Sequence, residues 1–327
     1  MTVSVSPASA CEDLASWILA PPEHPPELAE EDMERFREAA QVHGAAPLLW
    51  LQVRDRAAWT ESALGAWLAD QHLWNGRRVA RLQEELREIL ATFSAAGVPL
   101  LPLKGSVLAA LYYEEAAARP MADLDVLLPS EHQEAGEALL AGLGYEKIFS
   151  GWKHARFIPP GARPGSQEVV DRTREHPDNP RLLEVHPRCR ERLRDEVVDL
   201  TEAVLGTARS GPILGTTSLL PDPDAFWLYL LVHGTHHVLL NNFRLIQLVD
   251  LVRLEPFLRE ADALAGTVDP RAVYPALALL ERTFPGERTG ALRARLRERL
   301  PSGYAEWADR LDLFTVCHLN PVPWRNQ

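Results

Sequence analysis

The chain has 327 residues, 46% of them hydrophobic and 24% charged, with a formal net charge of -12. That balance excludes a disordered or fibrous chain, and no apolar run approaches the roughly 18 residues of a membrane span. The acidic field repels polyanions, which weighs against a long nucleic-acid partner.

Residues 9–20 predict a short helix ended by Pro21 and Pro22, with a linker around Pro25 and Pro26. Helices follow at 30–43 and 46–56, then a long one over 60–96, started near Thr60 and Ser62 and stopped at Gly97. The pattern then changes. Strand 98–103 leads into helix 106–115, strand 122–128 and helix 131–143. Further strands are expected at 144–149, 155–158 and 181–187. Residues 159–181, rich in Pro, Gly and charge, read as a mobile loop. Asp224 can cap a helix over 225–240, and helices at 244–254, 272–284, 289–300 and 304–316 complete the chain. The expectation is an α+β protein in three parts: a helical region over 1–98, an α/β core over 99–216, and a helical region over 217–327.

Three cysteines, Cys11, Cys189 and Cys317, stand far apart in the sequence. Their spacing argues against a disulfide framework or a cysteine zinc site and fits a reducing cytoplasm. The segment Met1 to Cys11 has no basic patch before an apolar run, so no secretory leader is expected. Only Lys104, Lys147 and Lys153 are lysines among 34 basic residues, which makes Lys104 worth attention.

The chemistry-bearing stretch is Leu103-Lys104-Gly105-Ser106, followed by Arg119-Pro120-Met121-Ala122-Asp123-Leu124-Asp125-Val126. Alternate residues of a strand share a face, so Asp123 and Asp125 point together while Leu124 and Val126 point into a core. Two carboxylates so placed can share divalent cations, and two such ions suit an in-line phosphoryl displacement. Gly105 and Ser106, between strand and helix, can cradle phosphate on backbone N–H groups. Lys104 and Arg119 can neutralise its charge. In Leu182-Leu183-Glu184-Val185-His186, Glu184 and His186 share the open face. Glu184 can complete a metal site and help deprotonate an acceptor hydroxyl.

This ordered string resembles the nucleotidyltransferase superfamily that includes DNA polymerase beta and the antibiotic nucleotidyltransferases. The nearer resemblance is to a bacterial family labelled uncharacterised nucleotidyltransferase. It is carried by Leu103-Lys104-Gly105, Leu108-Ala109 with Tyr112, Arg119-Pro120-Met121, Asp123-Leu124-Asp125 and Glu184-Val185-His186, with His233, His237, Arg244 and Asp250 further on. The gap from Gly105 to Asp123 is longer than in the best-known superfamily members, and the third acid is glutamate rather than aspartate.

The resemblance implies a minimal nucleotidyltransferase core, a mixed sheet flanked by helices. It implies Mg²⁺, as two ions on Asp123, Asp125 and Glu184, and an NTP, taken as ATP, bound by Lys104, Gly105, Ser106 and Arg119. It also implies a substrate pocket lined by His186, His233, His237 and Arg244. The acceptor would be a small molecule, peptide or protein bearing a hydroxyl, and the enzyme would be cytoplasmic.

Plainer readings stand beside these. An Asp-x-Asp pair is often solvated charge at a strand end, and Arg119 can simply cap a loop. Tyr112, Tyr113 and Cys189 read as packing residues, and Asp250 as an ion-pair partner along its helix. His233, His236 and His237 offer a metallohydrolase alternative, but Gly234 stands where HExxH needs a glutamate. A nucleotide-binding module without turnover is the other rival.

Overall fold

The computed structural model describes residues 6–162, 175–176 and 178–319. Helices α1 (Pro7–Leu19), α2 (Glu30–Val42), α3 (Ala46–Val53), α4 (Ala57–Thr60) and α5 (Ala63–Ala95) come first. Helix α1 opens with a reciprocal Ser6–Ser9 cap, which satisfies donors that the first turn leaves free. The 33 residues of α5 end before Gly97, whose φ of 68° suits a residue without a Cβ.

The chain then alternates: β1 (Leu101–Leu103), α6 (Lys104–Leu111), β2 (Asp123–Leu127), α7 (Gln133–Gly142), β3 (Glu146–Ser150), β4 (Ala155–Ile158) and β5 (Leu182–His186). Next come β6 (Arg190–Leu193), β7 (Glu196–Asp199), α8 (Thr201–Thr207), β8 (Arg209–Ile213) and β9 (Thr216–Leu220). The chain finishes with α9 (Pro223–Leu239), α10 (Leu245–Leu254), α11 (Ala261–Ala265), α12 (Tyr274–Thr283), α13 (Glu287–Arg297) and α14 (Ser302–Asp309).

These elements form two compact units. The sheet-bearing unit spans 74–191 and 199–226. Its five-stranded sheet runs β1-β2-β5-β4-β3. Strands β2 and β5 are parallel neighbours at its centre, and the other pairings are antiparallel, so the sheet is mixed as expected. Pro102, which has no N–H to give, sits in the edge strand β1. The opposite edge, β3, is exposed along its length, and its kink between Lys147 and Phe149 is a device that discourages edge-to-edge pairing. Leu124, Val126, Leu183 and Val185 fill the buried side of the central pair. Each such side chain contributes about 1.5–3 kcal/mol by leaving water.

The helical unit comprises the residues up to 73, 192–198 and those from 227 onward. Its core holds Trp59, Trp227, Tyr229, Phe243 and Tyr274, all fully buried or nearly so.

The structure departs from the sequence expectations at several places, among them an unexpected helix α11 and a break at 61–62 in the helix expected over 60–96. Helix α6 begins at Lys104 rather than 106, because the chain turns directly out of β1 there. The last helix stops at Asp309. Beyond it Asp312 accepts from the Thr315 N–H at 2.8 Å, a local side-chain bond that competes with helical pairing. Between 190 and 220 lie two hairpins and a helix that periodicity did not announce. Leu214 and Gly215 both take positive φ, so β8 and β9 are joined by a type I′ turn without the usual Asn-Gly signal. The loop expected over 159–181 lies largely outside the described residues. Among the described residues no helix is long and apolar enough to cross a membrane.

Candidate active site

Register sets the site. Asp125 lies directly opposite Glu184 across the parallel pair, and Arg156 of β4 lies opposite Glu184 on its other side. Period-two alternation then puts Asp123, Asp125, Glu184, His186 and Arg156 on one sheet face. The hydrophobic residues between them pin that register, since a one-residue slip would bury the carboxylates and expose the core.

Where β1 ends, Lys104 takes φ 47°, a left-handed conformation that costs a side-chain-bearing residue free energy and often marks a functional turn. That turn delivers the Lys104 ammonium to Asp125 Oδ1 at 2.6 Å. Gly105 follows, and it lets two side chains approach the backbone closely. An added Cβ would meet the Arg119 guanidinium and the Met121 side chain, the latter at 2.9 Å. The buried Ser106 hydroxyl accepts from the Asp125 N–H at 2.8 Å, so it locks helix α6 to the strand carrying the acids. Arg119 donates to the Pro120 carbonyl and packs over Gly105.

The two aspartates differ sharply in charge state. Burial pushes the Asp123 carboxyl up to about 7, with the negative charges of Asp125 and Glu184 adding to the rise. Burial acts the same way on Asp125. The Lys104 ammonium and a 2.8 Å bond from His186 Nε2 outweigh it and hold that carboxyl well below the usual carboxylate range. With Asp125 ionised, His186 Nε2 carries the proton, and burial keeps the ring neutral by lowering its pKa. Glu184 accepts from Arg156 Nε at 2.9 Å and faces His154 Nε2 at 3.4 Å.

Two of the groups that sequence reasoning missed are cations, one fully buried and one half-buried. Arg78 of α5 is fully buried and, among the described residues, donates to the backbone carbonyls of Met121, Ala122, His176, Asn179 and Pro180. It therefore pins the chain just before Asp123 and just before β5, the entry points of both acid-bearing strands. A lone arginine inside a helical pattern gives no signal of such a role. Lys153 pairs with the buried Glu191 at 2.6 Å, and burial together with the nearby Lys104 lowers its pKa. Its rarity as a lysine was the available clue.

The donor atoms that gather most closely among the described residues of this unit belong to His154, Glu184 and His186, all within 4.8 Å of one another. Asp123, Asp125 and Glu184 supply the hard oxygens that Mg²⁺ prefers, and their mutual repulsion at Asp123 is the surplus of negative charge that a divalent cation offsets. The donor types suit that ion, while Asp125 Oδ1 is held by Lys104 and His186 and would have to exchange those partners for it.

His233, His237 and Arg244 belong to the helical unit. His233 and His237 stack edge to face at 4.3 Å, and His237 Nδ1 lies 3.0 Å from the Asn242 carbonyl. His236 Nδ1 meets the Arg192 carbonyl at 2.7 Å. Arg244 donates to the Val42 carbonyl at 2.7 Å, tying the start of α10 to the end of α2.

A family described as uncharacterised nucleotidyltransferase matches residues 29–269. The chain belongs to that family. It is a nucleotidyltransferase with an α+β fold, and the match runs across every residue named above from Arg78 to Arg244. No protein of curated function matches it in sequence. Solved structures give distant likenesses. The antibiotic-resistance factor ANT(2'')-Ia in solution is 15% identical with a TM-score of 0.35, covering 68% of this chain and 94% of that one. ANT(2'')-Ia in a crystal with adenylyl-2''-tobramycin is 15% identical with a TM-score of 0.39, covering 66% and 97%. An antigenic nucleotidyltransferase-like protein from Paracoccidioides brasiliensis is 14% identical with a TM-score of 0.34, covering 72% and 96%.

Proposed function

We propose that this nucleotidyltransferase moves a nucleoside monophosphate from an NTP, with ATP as the first candidate, to a hydroxyl-bearing acceptor, and that Asp123, Asp125 and Glu184 are its catalytic acids. The observation that carries the reading is the in-register pair Asp125–Glu184 on one sheet face, with Asp123 a strand period away and the strained Lys104-Gly105 turn beside it.

In this reading the acceptor oxygen attacks the α-phosphorus, the bond to the bridging oxygen breaks, and pyrophosphate leaves. The acceptor proton passes to the Glu184 carboxylate, which Arg156 orients. Lys104 exchanges its partner Asp125 for phosphate oxygens when the nucleotide arrives, and the N–H groups of the first turn of α6 receive the phosphate. Arg119 over Gly105 offsets charge on the departing pyrophosphate. Mg²⁺ on Asp123, Asp125 and Glu184 would supply electrostatic stabilisation of charge developing on the phosphoryl oxygens. Holding the reactants in line and matching charge would account for most of the rate. An acceptor pocket using His186, His233, His237 and Arg244 is part of the same proposal, as is a cytoplasmic setting.

The deciding experiment measures thermal stability with each NTP, with and without Mg²⁺, together with pyrophosphate release. A ligand bound only by the folded state raises apparent stability. The expected result is a Mg²⁺-dependent shift that Asp123→Asn/Asp125→Asn abolishes, with pyrophosphate released in a screen of hydroxyl acceptors. Full turnover in the double variant would overturn the assignment. A stability shift without pyrophosphate release would favour a binding module instead. The metallohydrolase alternative on α9 has less support. Among the described residues the groups spaced to hold a metal are His154–Glu184–His186 and Cys11–His43–Cys317; neither uses that helix, and the first shares Glu184 with the proposed acid set.

A further inference from the structure

Cys11 and Cys317 come from opposite ends of the chain, yet the helical unit brings them together around His43. Cys11 lies in α1, His43 caps the end of α2, and Cys317 sits in the turn beyond α14. All three are 0% exposed, and their two sulfurs and a ring nitrogen lie within 4.8 Å of one another. Both cysteines fall outside the region that matches the nucleotidyltransferase family, and His43 falls inside it.

The state of His43 decides what the cluster can do. Its Nδ1 accepts from the Leu245 N–H at 3.1 Å, and its carbonyl accepts from the Ile246 N–H at 3.1 Å. These are free donors of the first turn of α10. A ring nitrogen that accepts carries no hydrogen, so the proton of the neutral imidazole is on Nε2. Nε2–H therefore points at sulfur, and Cys11 Sγ lies 3.3 Å away. A metal-bound histidine has the reverse arrangement, with its far nitrogen donating to a carbonyl or carboxylate. The backbone thus fixes the tautomer that stabilises a thiolate and opposes a cation.

The sulfurs are themselves unequal. Hydrogen bonds from Cys11 and His43 bring the Cys317 thiol down to about 4, while its bond to Cys317 and burial push the Cys11 thiol up. In the geometry the His43 Nε2–H meets the Cys11 sulfur at 3.3 Å, and the Cys317 sulfur lies against the Phe314 carbonyl at 3.5 Å.

We propose that Cys11 and Cys317 are a redox-active pair, oriented by His43, that a hydroperoxide closes into a disulfide joining the first and last helical segments of the unit. The Cys317 thiolate attacks the distal oxygen of the hydroperoxide. The O–O bond breaks, and the alkoxide or hydroxide leaves and is protonated by solvent. Cys11 then attacks the Cys317 sulfenic acid, the S–O bond breaks, and hydroxide departs with the Cys11 proton as water. Two thiols are oxidised and one peroxide is reduced. The role is separate from nucleotidyl transfer and does not depend on that reading.

The test treats the full chain with hydrogen peroxide, then traps remaining thiols under denaturing conditions and maps them by mass spectrometry. The expected product is a Cys11–Cys317 crosslinked peptide two hydrogens lighter than the reduced pair, with Cys189 still alkylated. A reductant should reverse it. Oxidised protein should melt several degrees higher, because the link closes almost the whole chain. Cys317→Ser should lose both the crosslink and the shift, Cys189→Ser should keep both, and His43→Gln should slow closure severalfold at neutral pH. Failure to form the crosslink in the parent protein under excess peroxide would overturn the proposal, and this readout does not depend on any variant folding. Oxidation of Cys317 that stops at sulfinic acid would also overturn it. So would stoichiometric zinc in the purified protein that is lost in Cys11→Ser and Cys317→Ser.

Discussion

The acidic face of the central sheet and the histidine row of α9 both concentrate titratable side chains, but they are built on opposite terms. On the sheet, Asp123 is pushed up to about 7 because burial and two neighbouring carboxylates outweigh the help it receives from Lys104 and Arg78. In the helical unit, His236 and His237 each place Nδ1 against a backbone carbonyl, and their rings meet edge to face. The first arrangement keeps a surplus of charge at a cost in stability. The second helps satisfy the chain's own polar groups. A surplus that the fold tolerates is the better marker of chemistry, since stability alone would remove it.

The comparison breaks most visibly if Asp125→Asn is harmless. Loss of that carboxylate removes a proposed metal ligand and the partner of both Lys104 and His186. Pyrophosphate release should fall by on the order of 10²–10³-fold or more, the scale on which single preorganised electrostatic groups act. Arg78→Ala comes next. The carbonyls it holds lose a buried cationic donor, and a cost of about 3 kcal/mol in chemical denaturation is expected. Arg78→Lys should recover little of it, because an ammonium cannot span the same fork of acceptors. Stability within about 0.5 kcal/mol of the parent protein would show that the strand entry points need no pin.

The contrast between the two regions was partly legible beforehand. Asp123, Asp125 and Glu184 could be placed on one face because strand alternation is a strict period, and the Lys104-Gly105 turn was visible as a break between strand and helix. The partners were not legible. That Lys104 bridges Asp125, that Ser106 holds the Asp125 N–H, and that Arg156 engages Glu184 all depend on sheet order, which periodicity does not encode. Arg78 contacts backbone rather than side chains, so it leaves no pattern of residue types. The β8–β9 hairpin was hidden because Leu214 occupies a turn position usually given to Asn or Gly. Cys11 and Cys317 looked unrelated because sequence distance says little about which ends of a helical unit meet.

Asp123 offers a smaller and more diagnostic effect. Its folded-state pKa, near 7, is above the ordinary carboxylate value, so between about pH 4 and 7 the folded protein binds more protons than the unfolded one. Stability from this group is therefore fully present below about pH 4 and declines as pH rises through 7. In metal-free protein, Asp123→Asn should add about 1–3 kcal/mol at pH 8 and close to nothing at pH 4, read from denaturation curves at both values. Adding Mg²⁺ should reverse the order by stabilising only the parent. A variant gain independent of pH would mean that Asp123 carries no surplus charge, and the distinction drawn from the sheet face would fail.

The smallest effect is expected on α9. His237→Ala removes one side-chain contact to the Asn242 carbonyl and one ring contact, which together are worth about 1 kcal/mol of stability. Because His237 is not among the groups proposed to touch the reacting phosphate, kcat should change by less than about threefold, the equivalent of well under 1 kcal/mol. Its proposed place in the acceptor pocket would surface in KM for the acceptor alone. A matched measurement on Glu184→Gln should show the opposite split, with kcat lost and acceptor KM nearly kept. If His237→Ala instead cut kcat as deeply as Glu184→Gln, the histidine row would be part of the chemistry despite its satisfied backbone contacts. Charge surplus would then cease to separate a site from the architecture around it.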